Sequence, residues 1–314
     1  MRTFLVTGGA GFVGSHIAET LIERGDKVRI VDNLCTGHLS NMDGFRDRVE
    51  FVEGDLIDAK LMAEVVDGVD CIFHEAALAS VPRSVENPLD TNAACVTGTL
   101  TLLDAARRAG VRRLVYAASS SAYGDQPTSS KREADLPKPI SPYGTAKLAA
   151  EFYCHAFTAT YGFETACLRY FNVFGPRQDP DSEYSAVIPR FIAAVLSGEQ
   201  PEIYGDGLQS RDFTFVANVV QANLLAADAK HVAGQTFNVA NGRSTDLLTL
   251  LDVINRLLET DVKPKHSAPR SGDVRESLAD ITRARELLGY EPIVDFEEGL
   301  RRSIDYYRTI FSPG

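Results

Sequence analysis

The chain has 314 residues, with 32 Lys and Arg against 43 Asp and Glu, for a formal charge of −11. Apolar residues make up 44% and charged residues 24%, close to the globular average, which argues against a disordered chain. The acidic balance argues against a general nucleic-acid-binding surface, and no apolar run reaches the roughly 18 residues that span a bilayer, so we expect neither a nucleic-acid nor a membrane partner.

Short apolar runs alternate with helical patterns through the first two thirds of the chain. The helical patterns lie near 12–24, 58–67, 89–109 and 143–161. The alternation predicts an α/β fold built on a doubly wound parallel sheet of the Rossmann type. Because strands covered on both faces are continuously apolar, six runs rich in Val, Ile and Phe are the predicted strands: Phe4–Val6, Val28–Val31, Val49–Val52, Cys71–Phe73, Leu114–Tyr116 and Thr165–Leu168.

The character of the sequence changes after about residue 175. The stretch GPRQDPDSEYSAVIP (175–189) is typical of a loop, and helical and strand patterns then mix less regularly. We predict a first domain over 1–175 and a smaller mixed α/β lobe over 176–314. A segment near 215–242 is a candidate to return to the sheet of the first domain.

The first predicted strand runs into a glycine-rich turn, TGGAGFVG (7–14). Gly8 permits a tight turn, Gly11 lets the backbone approach a pyrophosphate, and Gly14 lets the following helix pack closely on the strand. The helix N-terminus presents free N–H groups and a positive dipole end to phosphates. The pattern predicts a dinucleotide site, the alternative being a glycine-rich turn without a ligand.

The ends of the next strands support this prediction. Asp32 ends the second strand, 24 residues after Gly8. A carboxylate there accepts both ribose hydroxyls and repels a 2′-phosphate, which favours NAD over NADP. Asp55 follows the third strand and can reach the adenine end, while Ala76 and Ala77 follow the fourth and line the groove.

A candidate catalytic group lies between residues 119 and 147. Tyr143 and Lys147 stand at i and i+4, so they share one face of a predicted helix. A nearby ammonium and a cationic nicotinamide lower the pKa of a phenol, which suits it to accept a proton from a hydroxyl group. Ser119 directly follows the fifth strand, at the sheet edge where ligands bind, and can share that proton. We predict Ser119, Tyr143 and Lys147 as catalytic residues.

These residues carry a family resemblance that spans essentially the whole chain. The chain resembles the extended short-chain dehydrogenases/reductases of the nucleotide-sugar epimerase/dehydratase family. It is most similar to the UDP-hexose 4-epimerases, particularly the branch that acts on UDP-N-acetylglucosamine. The motifs are TGGAGFVG (7–14), DNL (32–34), EGD (53–55), HEAA (74–77), SVPRSVENP (80–88), ASSSAYGD (118–125), SPYGTAK (141–147), RYFNVFGPRQDP (169–180), GDGLQSRDF (205–213) and PRSGDVRESLAD (269–280).

The resemblance implies a hydride shuttle on a UDP-sugar. Tyr143 takes the proton of the C4 hydroxyl, Ser119 assists, and Lys147 also holds the nicotinamide ribose. The C4 hydride passes to tightly held NAD and returns to the other face after the 4-keto sugar has turned. No net oxidation occurs, so the implied enzyme is an isomerase.

The resemblance also implies binding roles. Asn172, Arg211 and Arg270 grip the diphosphate, which two guanidinium groups suit, and Asp273 reaches the uridine ribose. Further cofactor contacts are implied at Phe12, Val13, Asn33, Thr36, Gly37, Leu56, Asn92 and Tyr170. The wall of the sugar pocket is implied to include Ser80, Ser120, Asn172, Gln178, Ala186 and Ser277.

Departures from the family patterns narrow the reaction and the substrate. Ser120 and Ser121 stand where the 4,6-dehydratases carry an Asp-Glu pair, and the acid of the related decarboxylases is missing too, so we expect the reaction to stop at epimerisation. Ser277 replaces a bulky tyrosine of plain-hexose epimerases and leaves room for an N-acetyl group. Ala79 replaces a glycine, and its methyl shifts preference back toward hexoses, so both sugar classes stay open.

Two other functions remain as alternatives. One is a UDP-glucuronate 4-epimerase of the same fold. The other is a non-catalytic NAD-sensing module, which would not need the catalytic and phosphate-gripping residues together.

The expected partner is a second copy of the chain. The helices near 89–109 and 143–161 carry apolar stripes, and the family implies a homodimer through a four-helix interface. The alternative is that both stripes pack only on the protein's own sheet. Five cysteines without a Cys-x-x-Cys spacing and histidines without paired ligand spacing favour a reducing, cytoplasmic location and no metal site.

Overall fold

A computed structural model describes residues 1–126, 128, 130–180, 186–268 and 275–311. Among these residues no helix is both long and apolar enough to cross a bilayer. The strands are β1 (Thr3–Thr7), β2 (Lys27–Asp32), β3 (Glu50–Glu53), β4 (Cys71–His74), β5 (Arg113–Ser119), β6 (Glu164–Tyr170), β7 (Val173–Phe174), β8 (Glu202–Tyr204), β9 (Ser210–Arg211), β10 (Thr214–Phe215), β11 (Gln235–Val239), β12 (Thr245–Asp246), β13 (Lys265–Ser267) and β14 (Glu276–Ser277).

The helices follow the same alternation with the strands. They are α1 (Phe12–Glu23), α2 (Ala59–Val65), α3 (Val81–Glu86), α4 (Pro88–Asn92), α5 (Gly98–Arg108), α6 (Pro142–Tyr161), α7 (Val187–Leu196), α8 (Val216–Asp228), α9 (Leu247–Leu258), α10 (Thr282–Leu288) and α11 (Phe296–Phe311). A π-helical segment, Ala93–Thr97, joins α4 to α5 without a break in right-handed helical geometry. Three short 3₁₀ turns span Leu39–Met42, Arg46–Arg48 and Ser120–Ala122.

Seven strands form one sheet in the order β11-β6-β5-β4-β1-β2-β3. Every pairing in this sheet is parallel. The reversal of strand order falls between β1 and β4, where a doubly wound sheet opens a crevice at the carboxyl ends of its strands. The predicted doubly wound Rossmann-type fold is confirmed, and all six predicted apolar runs contribute to its strands.

Helices cover both faces of this sheet. On one face α1 and α8 bury side chains such as Ile17, Leu21 and Val219 against the strands. On the other face α2, α5 and α6 do the same through Met62 and Leu102, among others. Burial on both faces explains why the strands are continuously apolar, and it leaves the crevice at the strand ends as the place for ligands.

The later part of the chain forms a third apolar core, in which α7, α9 and α11 pack around a cluster of phenylalanines. Its strands are only two or three residues long and pair in small sheets, β10-β7, β12-β9-β14 and β13-β8. Strand β11 pairs instead with β6, at the edge of the large sheet. The domain division at residue 175 stays a prediction.

Candidate active site

The glycine-rich turn after β1 is too crowded for side chains. Gly8 has φ +68, and a Cβ on it would lie 2.7 Å from the backbone N of Ala76. A Cβ on Gly14 would lie 2.2 Å from the carbonyl oxygen of Gly8. The turn therefore packs directly on the segment after β4 and on the start of α1, as the predicted roles of these glycines require.

The N-terminus of α1 opens toward this turn. Gly11 is the N-cap and no side chain caps the helix. The backbone N–H groups of Phe12 and Val13 can therefore donate hydrogen bonds to a ligand. A 12-residue helix also places the positive end of its dipole here. The chemistry fits the pyrophosphate of a dinucleotide.

Asp32 lies at the end of β2, beside the same turn. Its carboxylate accepts the N–H groups of Ala10 at 3.0 Å and Leu34 at 2.8 Å, and its exposed fraction is 8%. Burial raises the pKa of Asp32, and the two backbone donors oppose that shift. A Cβ on Gly37 would come within 3.0 Å of both carboxylate oxygens, so the loop closes tightly over this acid.

The other residues predicted on the adenosine side gather around Asp32. Asn33 donates from Nδ2 to the Asp55 carboxylate at 2.8 Å. Leu56 is buried against Gly98 at the start of α5, whereas Thr36 is exposed on the loop before Gly37. These positions form one side of the crevice, and their roles toward NAD stay predictions.

A buried chain of hydrogen bonds joins β1, β4 and α5 below the crevice. His74 Nδ1 lies 2.7 Å from Thr7 Oγ1, and His74 Nε2 lies 2.8 Å from Thr99 Oγ1. Thr99 donates its own proton to the carbonyl of Cys95 at 2.7 Å. Thr99 Oγ1 must therefore accept from His74 Nε2, which leaves Nδ1 to accept from Thr7. Burial lowers the pKa of His74 to about 3, so the ring is neutral.

Ser119 and Tyr143 meet at the carboxyl end of β5. Ser119 ends the strand, has an exposed fraction of 8%, and caps the following 3₁₀ turn by accepting the N–H of Ser121 at 3.1 Å. Tyr143 stands in the first turn of α6, where Ser141 caps the helix. Burial raises the pKa of the Tyr143 phenol, and the nearby Ser119 hydroxyl acts to lower it.

Lys147 lies one helical turn beyond Tyr143 and is 3% exposed. Its Nζ stands 4.5 Å from the centre of the Tyr116 ring, close enough for a cation–π interaction. Burial lowers the pKa of Lys147, whereas Glu75 and Cys95 nearby act to raise it. Asn92 ends α4 just before the π-helical segment, which packs on α6 behind this group. Such segments are common at functional sites.

Glu75 is a functional candidate that the sequence reasoning missed. It directly follows β4, and its carboxylate accepts the hydroxyl of Tyr170 at 2.9 Å. Tyr170, one of the implied cofactor contacts, ends β6 in register with Ser119. Burial raises the pKa of Glu75 to about 7. Its position within the motif HEAA (74–77), beside the predicted cofactor residues Ala76 and Ala77, could have indicated this candidate from the sequence.

Five of the predicted substrate residues line a cavity of about 1140 Å³ between the large sheet and the later lobe. Ser80 instead caps α3 by accepting the N–H of Arg83 at 3.1 Å, and Gln178 donates to the carbonyl of Val173 at 3.1 Å. Arg270 and Asp273 lie outside the described residues. The predicted residues that line the cavity are Ser120, Asn172, Ala186, Arg211 and Ser277.

Asp212 is a second residue that the sequence reasoning missed. Its buried carboxylate accepts the N–H groups of Asn241 at 2.9 Å, Gly242 at 3.1 Å and Ala279 at 3.2 Å. Its backbone carbonyl accepts Nδ2 of Asn172 at 3.3 Å. One side chain thereby ties together the strands that carry Arg211 and Ser277. Its partners lie far along the chain, so no local motif indicated the role.

Comparison with known proteins now identifies the family. The model of the NAD dependent epimerase/dehydratase family matches residues 4–240. The chain belongs to this family. A UDP-glucose 4-epimerase of Mycolicibacterium smegmatis is 39% identical to it over 98% of this chain and 99% of the relative.

Solved structures of epimerases from this family agree closely. The UDP-N-acetylglucosamine 4-epimerase of Methanobrevibacter ruminantium M1, in complex with UDP-N-acetylmuramic acid, superposes with a TM-score of 0.94 at 40% identity, over 98% of this chain and 99% of that one. The UDP-glucose 4-epimerase of Thermus thermophilus in complex with NAD has a TM-score of 0.89 at 35% identity, over 98% and 99%. The predicted family, isomerase class and NAD cofactor are confirmed.

Proposed function

We propose that this epimerase/dehydratase family member is a UDP-sugar 4-epimerase that interconverts UDP-GlcNAc and UDP-GalNAc and also admits UDP-Glc and UDP-Gal. The observation that carries the proposal is the approach of the Ser119 hydroxyl to the Tyr143 phenol at the carboxyl end of β5, with Lys147 one turn further along α6. Ser120 and Ser141, which stand one and two positions from this pair in the sequence, line the large cavity, so we infer that a hydroxyl bound there reaches both groups.

In the proposed mechanism each residue has a separate task. Bound NAD supplies a reversible hydride acceptor for C4 of the sugar. Tyr143 takes the proton of the C4 hydroxyl and later returns it. The Ser119 hydroxyl orients the C4 hydroxyl so that this proton points toward Tyr143. Lys147 holds positive charge beside the phenol, which favours the phenolate. Asn172 and Arg211 hold the diphosphate while the sugar turns.

The size of the cavity supports a sugar that turns over. A pocket of about 1140 Å³ exceeds the range of about 300–1,000 Å³ typical of small-molecule sites. An enzyme that presents both faces of one carbon to the same cofactor needs such room. Ala186 and Ser277, two small side chains in the wall, also leave space for an N-acetyl group.

Side-chain chemistry at the cavity supports epimerisation over elimination. Ser120 and Ser121 both line the cavity, and a hydroxyl at these positions is a poor general base near neutral pH. Without a carboxylate there, the 4-keto sugar has no assigned group to remove its C5 proton. The hydride therefore returns to C4.

The test is a substrate comparison with the purified protein. It is incubated separately with UDP-GlcNAc, UDP-Glc and UDP-glucuronate, and the 4-epimers are resolved by chromatography. We expect turnover of UDP-GlcNAc and slower turnover of UDP-Glc. Turnover of UDP-Glc alone would overturn the assigned sugar class, turnover of UDP-glucuronate alone would support the uronate alternative, and no epimer from any of them would refute the function.

We also propose that the protein is a homodimer. Phe152 and Tyr153 on α6 are 53% and 38% exposed, and Leu89 on α4 is 82% exposed. These side chains point away from the sheet that the buried stripe of α6 covers through Ala150 and Cys154. The outer surface of α4 and α6 would be buried if it packed on the same surface of a second copy across a two-fold axis. The interface would then contain four helices.

The cysteines support a cytoplasmic location, which we propose as well. All five are free thiols, and four of them are buried. Buried unpaired thiols suit a compartment that keeps cysteine reduced.

A further inference from the structure

Glu75 lies on the floor of the crevice that NAD must cross. Its N–H donates to the carbonyl of Thr7 at 3.2 Å, and its own carbonyl carbon lies 3.1 Å from where a Cβ on Gly8 would stand. The residue therefore packs directly against the glycine-rich turn. Because β4 is neighbour to β1 on one side and β5 on the other, Glu75 stands between the phosphate end and the Ser119–Tyr143 pair.

The side chain of Glu75 points toward that pair. It reaches past the end of β5 to the Tyr170 hydroxyl, 2.9 Å away at the end of β6. Tyr170 pairs in register with Ser119. The carboxyl group therefore lies over the same strand ends as the catalytic pair, at the nicotinamide end of the crevice.

The direction of each hydrogen bond leaves Glu75 as the acceptor. Asn223 donates from Nδ2 both to the carbonyl of Val219 at 2.9 Å and to the Tyr170 oxygen at 2.7 Å. With its oxygen already accepting, Tyr170 turns its single proton toward Glu75 Oε1. Donors aimed at a carboxyl group favour its ionised form. The second carboxyl oxygen stays available on the crevice side, where Glu75 is half-buried.

A carboxylate at this place meets a charge that changes during catalysis. Oxidised nicotinamide is cationic, and addition of a hydride to the ring gives a neutral dihydronicotinamide. In a partly desolvated crevice an adjacent negative charge stabilises the cation and not the neutral ring. We propose that Glu75 is the counter-charge that keeps the resting cofactor as NAD⁺ and opposes its accumulation as NADH.

Electrostatics around Glu75 agree with this assignment. Burial without a bound cation raises its pKa to about 7, while Lys147 acts in the opposite sense. An ionised Glu75 also raises the pKa of Tyr143, which would hinder the base unless a cation balanced it. A cationic nicotinamide beside Glu75 would remove both conflicts. The inference uses the NAD cofactor and does not depend on which sugar is epimerised.

The test compares the redox equilibrium of bound cofactor in the wild type and in Glu75→Gln. The glutamine keeps the size and an oxygen that accepts from Tyr170, but it has no charge. Holoenzyme without any sugar nucleotide is equilibrated with reductant and redox dyes, and the NADH to NAD⁺ ratio is read from NADH absorbance. We expect the NADH to NAD⁺ ratio of Glu75→Gln to be about tenfold higher than that of the wild type at the same potential. This corresponds to a rise of about 30 mV in the reduction potential of the bound cofactor.

Control variants separate this effect from general damage. Glu75→Asp keeps the charge and should stay near the wild-type ratio, and so should Glu64→Gln, on an exposed position of α2. A ratio for Glu75→Gln within twofold of the wild type would overturn the proposal. Should Glu75→Gln purify without cofactor, the protein is titrated with NAD⁺ and NADH. An unchanged ratio of the two dissociation constants overturns the proposal, and a tenfold shift toward NADH supports it.

Discussion

At the scale of single residues, Tyr143 needs positive charge near it to act as a base. Burial raises the pKa of its phenol, and the nearby Ser119 hydroxyl offsets this only in part. The Lys147 ammonium is held against the ring of Tyr116, one helical turn on, and oxidised NAD adds a second positive charge when it binds. We therefore expect the phenol to accept protons only in the cofactor-loaded protein.

The replacement Tyr143→Phe tests this role. It removes the hydroxyl and keeps the ring, so turnover should fall by about 10²–10⁴-fold, the usual contribution of a positioned acid or base. The content of NAD, measured after denaturation, should stay at the wild-type level. Tyr161→Phe, at an exposed tyrosine near the end of the same helix, should keep full activity. Substantial turnover by Tyr143→Phe would contradict the assignment.

Local motifs and long-range contacts differ in how well sequence predicts them. Gly8, Gly14 and Asp32 belong to one strand–turn–helix–strand motif of fixed spacing, so that spacing alone indicates the crevice that the structure contains. Glu75 acts through Tyr170, which is 95 positions away, and Asp212 binds backbone at positions 241 and 279. Neither role could be predicted, because each depends on which strand ends the fold brings together.

At the scale of elements, the chain Thr7–His74–Thr99 fixes β1, β4 and α5 to one another behind the crevice. Each bond has one donor and one acceptor, which requires a neutral imidazole with its proton on Nε2. Thr7 Oγ1 also accepts the N–H of Ala76 at 3.3 Å. A second proton on His74 would break the bond to Thr7 and disturb the segment that packs on the glycine-rich turn.

The hydrogen bonds of His74 with Thr7 and Thr99 predict how the stability of the protein responds to acid. Burial lowers the pKa of His74 to about 3, from 6.5 in an exposed histidine. Between these values the unfolded chain binds a proton that the native protein does not, so stability is lost as the pH falls from 6.5 toward 3. As the pH is lowered from about 6.5 to 5, the free energy of unfolding in urea should fall by about 2 kcal/mol less for His74→Gln than for the wild type.

Buried carboxyl groups act in the opposite sense, Glu75 and Asp212 with the largest shifts, and must be separated from this effect. Burial raises the pKa values of Glu75 and Asp212 to about 7, so their protonation adds stability as the pH falls below 7. Wild type and variant share that contribution, and it cancels in their difference. His231→Gln, at an exposed histidine, should follow the wild type. The prediction would be contradicted if His74→Gln and the wild type lost the same free energy of unfolding as the pH falls.

Long elements were predictable from sequence and short ones were not. Strands β1, β4, β5 and β6 are buried on both faces, so each is visible as an apolar run. Strands β9, β12 and β14 have two residues each, too few for any periodicity. Contacts such as those of Asp212 hold these short strands in place, and their pairing emerges only from the complete fold.

At the scale of the whole molecule, the later lobe is fastened to the NAD-binding side by the loop that follows β7. Arg177 forms an ion pair with Glu19 on α1 at 2.6 Å, and His16 Nε2 lies 3.0 Å from the carbonyl of Pro176. The helix predicted to receive the pyrophosphate, α1, is thus in contact with the loop that leads to the large cavity. A cofactor bound at α1 would act on this loop directly through these two contacts.

The proposed dimer gives the last prediction. Phe152 is 53% exposed on the outer face of α6, and a two-fold axis through this face would place it in the interface with its symmetry mate nearby. Phe152→Glu would bury an unpaired charge from each subunit, which is strongly unfavourable. We expect light scattering after size exclusion to give the mass of a dimer for the wild type and of a monomer for Phe152→Glu. Ile293→Glu changes a residue that is 63% exposed between α10 and α11, away from this face, and should stay dimeric. A dimeric Phe152→Glu protein, or a monomeric wild type, would contradict the proposed interface.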